Sequence, residues 1–121
     1  MAAGWDFPRA TVVGVHDGDT VTMDVDLGFG ISRRGLPFRL LGLNARELRD
    51  PGGSEARANL LTLIPIGTML RLTSVKDDKY ARYLAVLWLG DTDICQRLID
   101  TDWAAAWNGK GAKPLPPWPR T

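Results

Sequence analysis

Residues 10–26 read ATVVGVHDGDTVTMDVD, two runs of β-branched residues on either side of Asp17-Gly18. Asp-Gly between apolar runs is a strong hairpin signal, because both residues tolerate the positive φ of a tight turn. Ala10 to Val15 therefore predicts a first strand, closed by His16-Asp17-Gly18-Asp19. Thr20 to Asp26 predicts a second. There Val21, Met23 and Val25 alternate with Thr22, Asp24 and Asp26, the period of two that marks a half-buried strand.

Working outward, Gly28-Phe29-Gly30 breaks the chain, and a third strand is expected over Ile31 to Leu43, interrupted near Gly35 and Pro37. Asp50-Pro51-Gly52-Gly53 is a turn. Ser54 then predicts a helix N-cap, with the helix running to Leu63 and stopped by Pro65 and Gly67. Thr68 to Ser74 alternates again as a fourth strand, Val75 to Ala81 is a charged loop, Tyr83 to Leu89 is a fifth strand, and Ile94 to Asp100 is a short second helix. Three strands, helix, two strands, helix is the order of a mainly β, α+β chain. It predicts a five-stranded Greek-key barrel of the OB-fold type, with one helix between strands 3 and 4 and a short helix after strand 5. The domain is expected over 1–108. Four prolines (Pro114, Pro116, Pro117, Pro119) then favour an extended arm over 109–121, packed on the barrel through Trp118 or offered to a protein partner.

Composition bounds the rest. A chain of 121 residues and 13.3 kDa, 45% hydrophobic and 24% charged, suits one globular domain with its own core. One cysteine, Cys95, excludes an internal disulfide framework and a cysteine-based zinc site. There is no apolar run of membrane-spanning length, so no membrane association is expected. No signal peptide is visible at Met1 to Asp6, so the expected location is cytoplasmic and the expected state a monomer. The net charge of +1 conceals an uneven distribution: residues 1–32 sum to −4 and residues 33–82 to +5. That division suits a site handling both a cation and an anion, and equally two solvated faces of opposite sign.

Several residues have chemistry to offer. Asp17 and Asp19 in one tight turn can hold a hard cation through oxygen, or can serve only the hairpin. Arg39 inside the apolar run Phe38 to Leu43 needs an anion for its guanidinium, either a phosphate or an internal carboxylate. Glu47 follows in a loop able to aim it at a ligand. Lys79, Tyr80 and Arg82 combine charge, ring and fork within four positions, a mixture that suits phosphate and nucleobase or a solvated loop. Gly53-Ser54-Glu55-Ala56 reads as a structural helix start. His16 and Cys95 read as structural, and Trp103 and Trp107, four apart, as a packed pair.

In order and spacing, four segments resemble the staphylococcal nuclease (thermonuclease) family: Asp17-Gly18-Asp19-Thr20; Arg39-Leu40-Leu41-Gly42-Leu43-Asn44-Ala45-Arg46-Glu47; Gly53-Ser54-Glu55-Ala56; and Asp78-Lys79-Tyr80-Ala81-Arg82-Tyr83-Leu84-Ala85. The resemblance spans about residues 10–108. It implies an OB-fold barrel and a calcium-dependent phosphodiesterase acting on DNA and RNA, leaving 3′-phosphate ends. It also implies that Asp19, Asn44 and the Ala45 carbonyl are Ca2+ ligands. Glu47 would activate or orient the attacking water, Arg39 and Arg82 would grip the phosphate, and Lys79 and Tyr80 would contact substrate phosphate.

The chain departs from the family pattern at three positions. Asn44 stands where the family has an aspartate, which removes one negative charge and lowers the expected calcium affinity. Arg46 replaces a proline, and Ala81 a glycine. The leading expectation is a metal-dependent nuclease. The alternatives are a nucleic-acid-binding module without turnover and an adaptor using barrel and arm.

Overall fold

The computed structural model describes residues 5–77 and 82–117; of Lys76, Asp77 and Arg82 it describes the backbone alone. The chain forms β1 (Trp5–Asp17), β2 (Thr20–Gly28), β3 (Ile31–Leu40), β4 (Leu43–Ala45), α1 (Gly53–Leu63), β5 (Met69–Asp77), β6 (Arg82–Leu89), β7 (Thr92–Asp93), α2 (Ile94–Asp100) and β8 (Ala104–Ala106). The main sheet runs β3-β2-β1-β5-β6-β7, and β3 also pairs in parallel with β6, closing a five-stranded barrel. The fold is thus mainly β with two helices. No helix among the described residues is long and apolar enough to cross a membrane.

The hairpin forms where its sequence predicts, with Ala10 opposite Val25 and Asp17 opposite Thr20, but its tip is Gly18-Asp19 and takes no positive φ; Gly18 is held instead by the close approach of Ala45 and Ala56. β1 is longer than the apolar run because it serves two partners, β2 through its second half and β5 through its first. Its register slips between Phe7 and Ala10. Pro8 lies in that slip, where a missing N–H costs no ladder bond. Alternation then fills the barrel: Val12, Val21, Met23, Phe38, Leu40, Leu72 and Leu87 are fully buried. Leu60 and Ile64 from the end of α1, and Ile94, Cys95 and Leu98 from α2, complete the same core. Burial pushes the Cys95 thiol up to about 11, so it stays protonated and inert.

Four expectations need correction. The run Ile31 to Leu43 is not one strand, because Gly42 at φ 81° turns the chain after Leu40 and starts β4. β4 pairs with β8 outside the barrel sheet. Strand pairing continues past Ser74 to Asp77, against β6, where a loop was expected. Ser54 is not the N-cap. Gly52 takes that position at φ 83° with no side-chain cap, and the Ser54 hydroxyl donates to Glu55. The entry to α1 comes out of a tight turn that needs positive φ, which glycine alone adopts at little cost. Finally, the spacing of Trp103 and Trp107 is not helical. The residues between them are the strand β8, so their backbones lie about 13 Å apart along the chain rather than on one helical face.

Candidate functional site

The site begins at the β1–β2 turn. Asp19 is buried there, 4% exposed. Its backbone N–H donates to Asp17 Oδ1 at 3.1 Å, the local bond that shapes the turn. Asp19 Oδ1 accepts from the Thr20 hydroxyl at 3.2 Å and Oδ2 accepts from the Ala45 N–H at 3.0 Å, which ties the turn to β4. The approach is close enough that a Cβ on Gly18 would lie 2.9 Å from both the Ala45 and the Ala56 methyl carbons.

Burial, with the Asp17 carboxyl alongside, raises the Asp19 pKa from 3.8 to about 6, although the Ala45 N–H and Arg39 both favour the anion. A carboxyl whose folded value is raised stabilises the fold in its protonated form. Its contribution is therefore full below about pH 4 and lost as pH rises through 6, on the order of 3 kcal/mol. In a 13Cγ NMR titration Asp19 is expected to change near pH 6; a midpoint at or below 4 would show that Arg39 outweighs burial.

Arg39 lies on β3 between Thr20 of β2 and Leu84 of β6. Its neighbours Phe38 and Leu40 point into the core, so Arg39 points outward, yet its side chain is only 11% exposed. Nη2 lies 3.4 Å from Asp19 Oδ2 and 3.5 Å from the Leu43 carbonyl oxygen, and donates to Asn44 Oδ1 at 3.2 Å. The guanidinium carbon stands 5.5 Å from the centre of the Trp107 ring, within cation–π range. One nitrogen makes every inward polar contact. Nε and Nη1 have no hydrogen-bond partner among the described residues.

β4 leads from this cluster into the loop carrying Glu47. The loop is fixed by its backbone: Glu47 N–H donates to Asp50 Oδ2, Asp50 N–H to the Glu47 carbonyl, and Gly53 N–H to the Asp50 carbonyl. A Cβ on Gly53 would collide with that same Glu47 carbonyl. Segment 53–56, read from sequence as a helix start, thus also seats the Glu47 loop through Gly53 and the Asp19 turn through Ala56. The Glu47 carboxylate is 39% exposed, 2.9 Å from Arg49 Nε and 3.8 Å from Lys113 Nζ.

The stretch 107–117 forms one wall of the site. Trp107 N–H donates to the Gly42 carbonyl, and its indole N–H to the Lys110 carbonyl. Lys113 Nζ stands 5.9 Å from the Trp107 ring centre. Asn44 Nδ2 donates to the Pro114 carbonyl at 3.0 Å, and Arg46 Nη2 to the Pro116 carbonyl at 2.7 Å. Pro116 is buried, beside a small cavity of about 110 Å3 that Arg46, Gly52, Glu55 and Trp103 also line.

Asp19, Arg39, Asn44 and Ala45 therefore meet directly, and Glu47 joins them through Lys113 and Trp107. The acidic first third and basic middle of the chain touch here, as Asp19 against Arg39. Lys79, Tyr80 and Trp118 lie outside the described residues, as does the Arg82 side chain; residue 82 itself stands in β6 opposite Asp77. Sequence reasoning missed Arg46, Trp107 and Lys113 as members of the site. Spacing carries no signal for them: Trp107 and Lys113 reach the site only through the return of the chain across β4, and Arg46, beside Glu47 in sequence, gains its role from the Pro116 carbonyl that the same return brings to it.

The resemblance implies a divalent cation, and the donors present suit one. Asp19 Oδ2 and Asn44 Oδ1 both approach the same atom, Arg39 Nη2, so both oxygens converge on one point, and oxygen donors are what a hard cation takes. Arg39 would have to withdraw from that point. Among the described residues there is no cluster of three or more His, Cys, Asp or Glu. No family model matches the chain, and no curated protein matches it either.

Proposed function

We propose that this protein is a metal-dependent phosphodiesterase that hydrolyses single-stranded DNA or RNA, on a barrel of the OB-fold type. The observation carrying the reading is Arg39: a nearly buried guanidinium, held by one nitrogen and backed by Trp107, whose Nε and Nη1 have no hydrogen-bond partner among the described residues. A structural ion pair does not need that reserve; a phosphate gripped through two oxygens does. The barrel assignment is supported by the strand order, a three-stranded meander whose first strand also pairs with β5 and whose third closes in parallel on β6.

A divalent cation at Asp19, Asn44 and the Ala45 carbonyl would add positive charge beside the phosphate and acidify a nearby water. The side chains do the rest. Arg39 binds the non-bridging oxygens and holds them more tightly as negative charge develops there. Glu47 takes the proton of the attacking water. The water oxygen bonds to phosphorus and the bond to the 5′ oxygen breaks; that oxygen leaves as an alkoxide and takes a proton from a solvent water, leaving a 3′-phosphate and a 5′-hydroxyl. Arg82 supplies a second cation to the same phosphate, and Lys79 and Tyr80 hold the neighbouring nucleotide.

The test is cleavage of a single-stranded oligonucleotide scanned over calcium, magnesium, manganese and chelator, with Glu47→Gln alongside. Metal-dependent cleavage is expected, reduced by about 10²–10⁴ in the variant. Salt-sensitive binding with no cleavage under any metal would replace this reading with a nucleic-acid-binding module.

A further inference from the structure

We propose that residues 110–117 are a strap that holds this site shut, with the Lys113 ammonium as a built-in counter-cation that substrate and metal must displace. The inference rests on the phosphodiesterase reading and names the regulation of that site.

Three observations carry it. First, the strap uses atoms the reaction needs. Asn44, in the metal-ligand position, gives its amide N–H to the Pro114 carbonyl at 3.0 Å while its oxygen accepts from Arg39 at 3.2 Å. Both ends of this amide are therefore engaged: the Pro114 bond holds the amide in place, and its oxygen meets a cation only as Arg39 gives up that oxygen. Second, Lys113 Nζ lies 3.8 Å from Glu47 Oε1 and 5.9 Å from the centre of the Trp107 ring that backs Arg39. An ammonium there stands against the carboxylate that would meet the attacking water. Third, the strap is anchored away from the chemistry: the Pro116 carbonyl accepts from Arg46 at 2.7 Å, and Pro116 is buried. Pro114, Pro116 and Pro117 restrict the segment's free conformations, so holding it in place costs little entropy.

These contacts differ in strength, and that decides how the strap works. The Lys113–Glu47 pair is half-exposed at both ends, so it is weak and sensitive to salt. The Arg46–Pro116 bond is short and partly buried, so it lasts. Release is therefore expected to begin at Lys113 and Pro114, with Pro116 as the hinge side. A polyanionic strand has the charge to draw Lys113 off Glu47, which would make the substrate its own opener.

The sign of one substitution separates this strap from a simple substrate contact. Lys113→Gln removes the ammonium and leaves the fold intact, because the side chain is half-exposed. Calcium affinity by calorimetry, and affinity for a single-stranded dodecanucleotide, are both expected to rise about two- to fivefold, the factor matching a partly exposed ion pair. Hydrogen exchange at residues 110–113 and 115 of the unchanged chain is expected to quicken when the dodecanucleotide is added. A Pro114→Gly, Pro116→Gly double variant, which loosens the strap and keeps every charge, is expected to raise both affinities as well.

Weaker oligonucleotide binding by Lys113→Gln would make Lys113 a phosphate contact and overturn the strap while leaving the phosphodiesterase reading in place. Unchanged affinities in both variants would overturn it too. A parent chain that binds calcium and oligonucleotide poorly, beside variants that bind both, would support the strap. Silence in all three chains, toward every metal and toward DNA and RNA, would remove the phosphodiesterase reading, and the strap with it.

Discussion

An Arg39→Lys variant is expected to fold and to lose cleavage by roughly 10²–10³. Lysine keeps the charge, and one ammonium is able to stand where Nη2 stands, near Asp19 Oδ2, Asn44 Oδ1 and the Leu43 carbonyl. It has nothing left for a phosphate. It also forfeits the guanidinium contact with the Trp107 ring. Stability is expected to change by less than about 1.5 kcal/mol, since no buried carboxylate is left without a cation. The measurement is kcat against KM with thermal denaturation alongside. Turnover within threefold of the parent would leave Arg39 as an ion-pair residue and remove the main support for the proposed reaction.

Gly53→Ala is expected to destabilise the chain by about 3 kcal/mol, a fall in Tm of roughly 10 °C. The residue is not held to glycine by its φ; it is held by the Glu47 carbonyl, which a Cβ would strike. Neither partner yields easily. Gly53 begins α1, and Glu47 is fixed by bonds on both its N–H and its carbonyl to Asp50. Relief requires the 47–50 turn to lift away from the helix start, carrying the Glu47 carboxylate with it. Calorimetry gives the stability, and turnover measured well below the new Tm is expected to stay depressed. A Tm within 2 °C of the parent would show that the turn shifts freely.

Much of this architecture is legible in the sequence. Alternation in Thr20 to Asp26 and the Asp-Gly turn define the first hairpin because strand period and turn chemistry are both local. The helix ends at Leu63 for a local reason too, the proline and glycine that follow. Arg39 is the instructive case. Its residue pattern left open an internal ion pair or a bound anion; the ion pair to Asp19 forms, but through one nitrogen, which leaves the second reading alive. What stayed hidden depends on chain segments meeting late. Arg46 reaches the Pro116 carbonyl and Asn44 the Pro114 carbonyl across some seventy residues, and no spacing rule records such a meeting. Ser54 misled because a good capping side chain stood one residue inside a helix whose entry was decided by Gly52.

The parallel seam between β3 and β6 has a consequence for the order of folding. The first three strands are joined by tight turns and find one another cheaply. The seam, where Phe38 faces Tyr83 with ring centres 6.1 Å apart, joins strands separated by α1 and β5, so its loop-closure entropy falls due only after those elements are placed. Until then the chain carries two open strand edges, and an unpaired edge is a template for a neighbouring molecule. Arg39 sits on one of those edges, paired to Leu84 across the seam. The residue at the centre of the proposed chemistry is thus expected to take up its position in the last step of barrel assembly, and a molecule caught before that step would be exposed to association with its own kind.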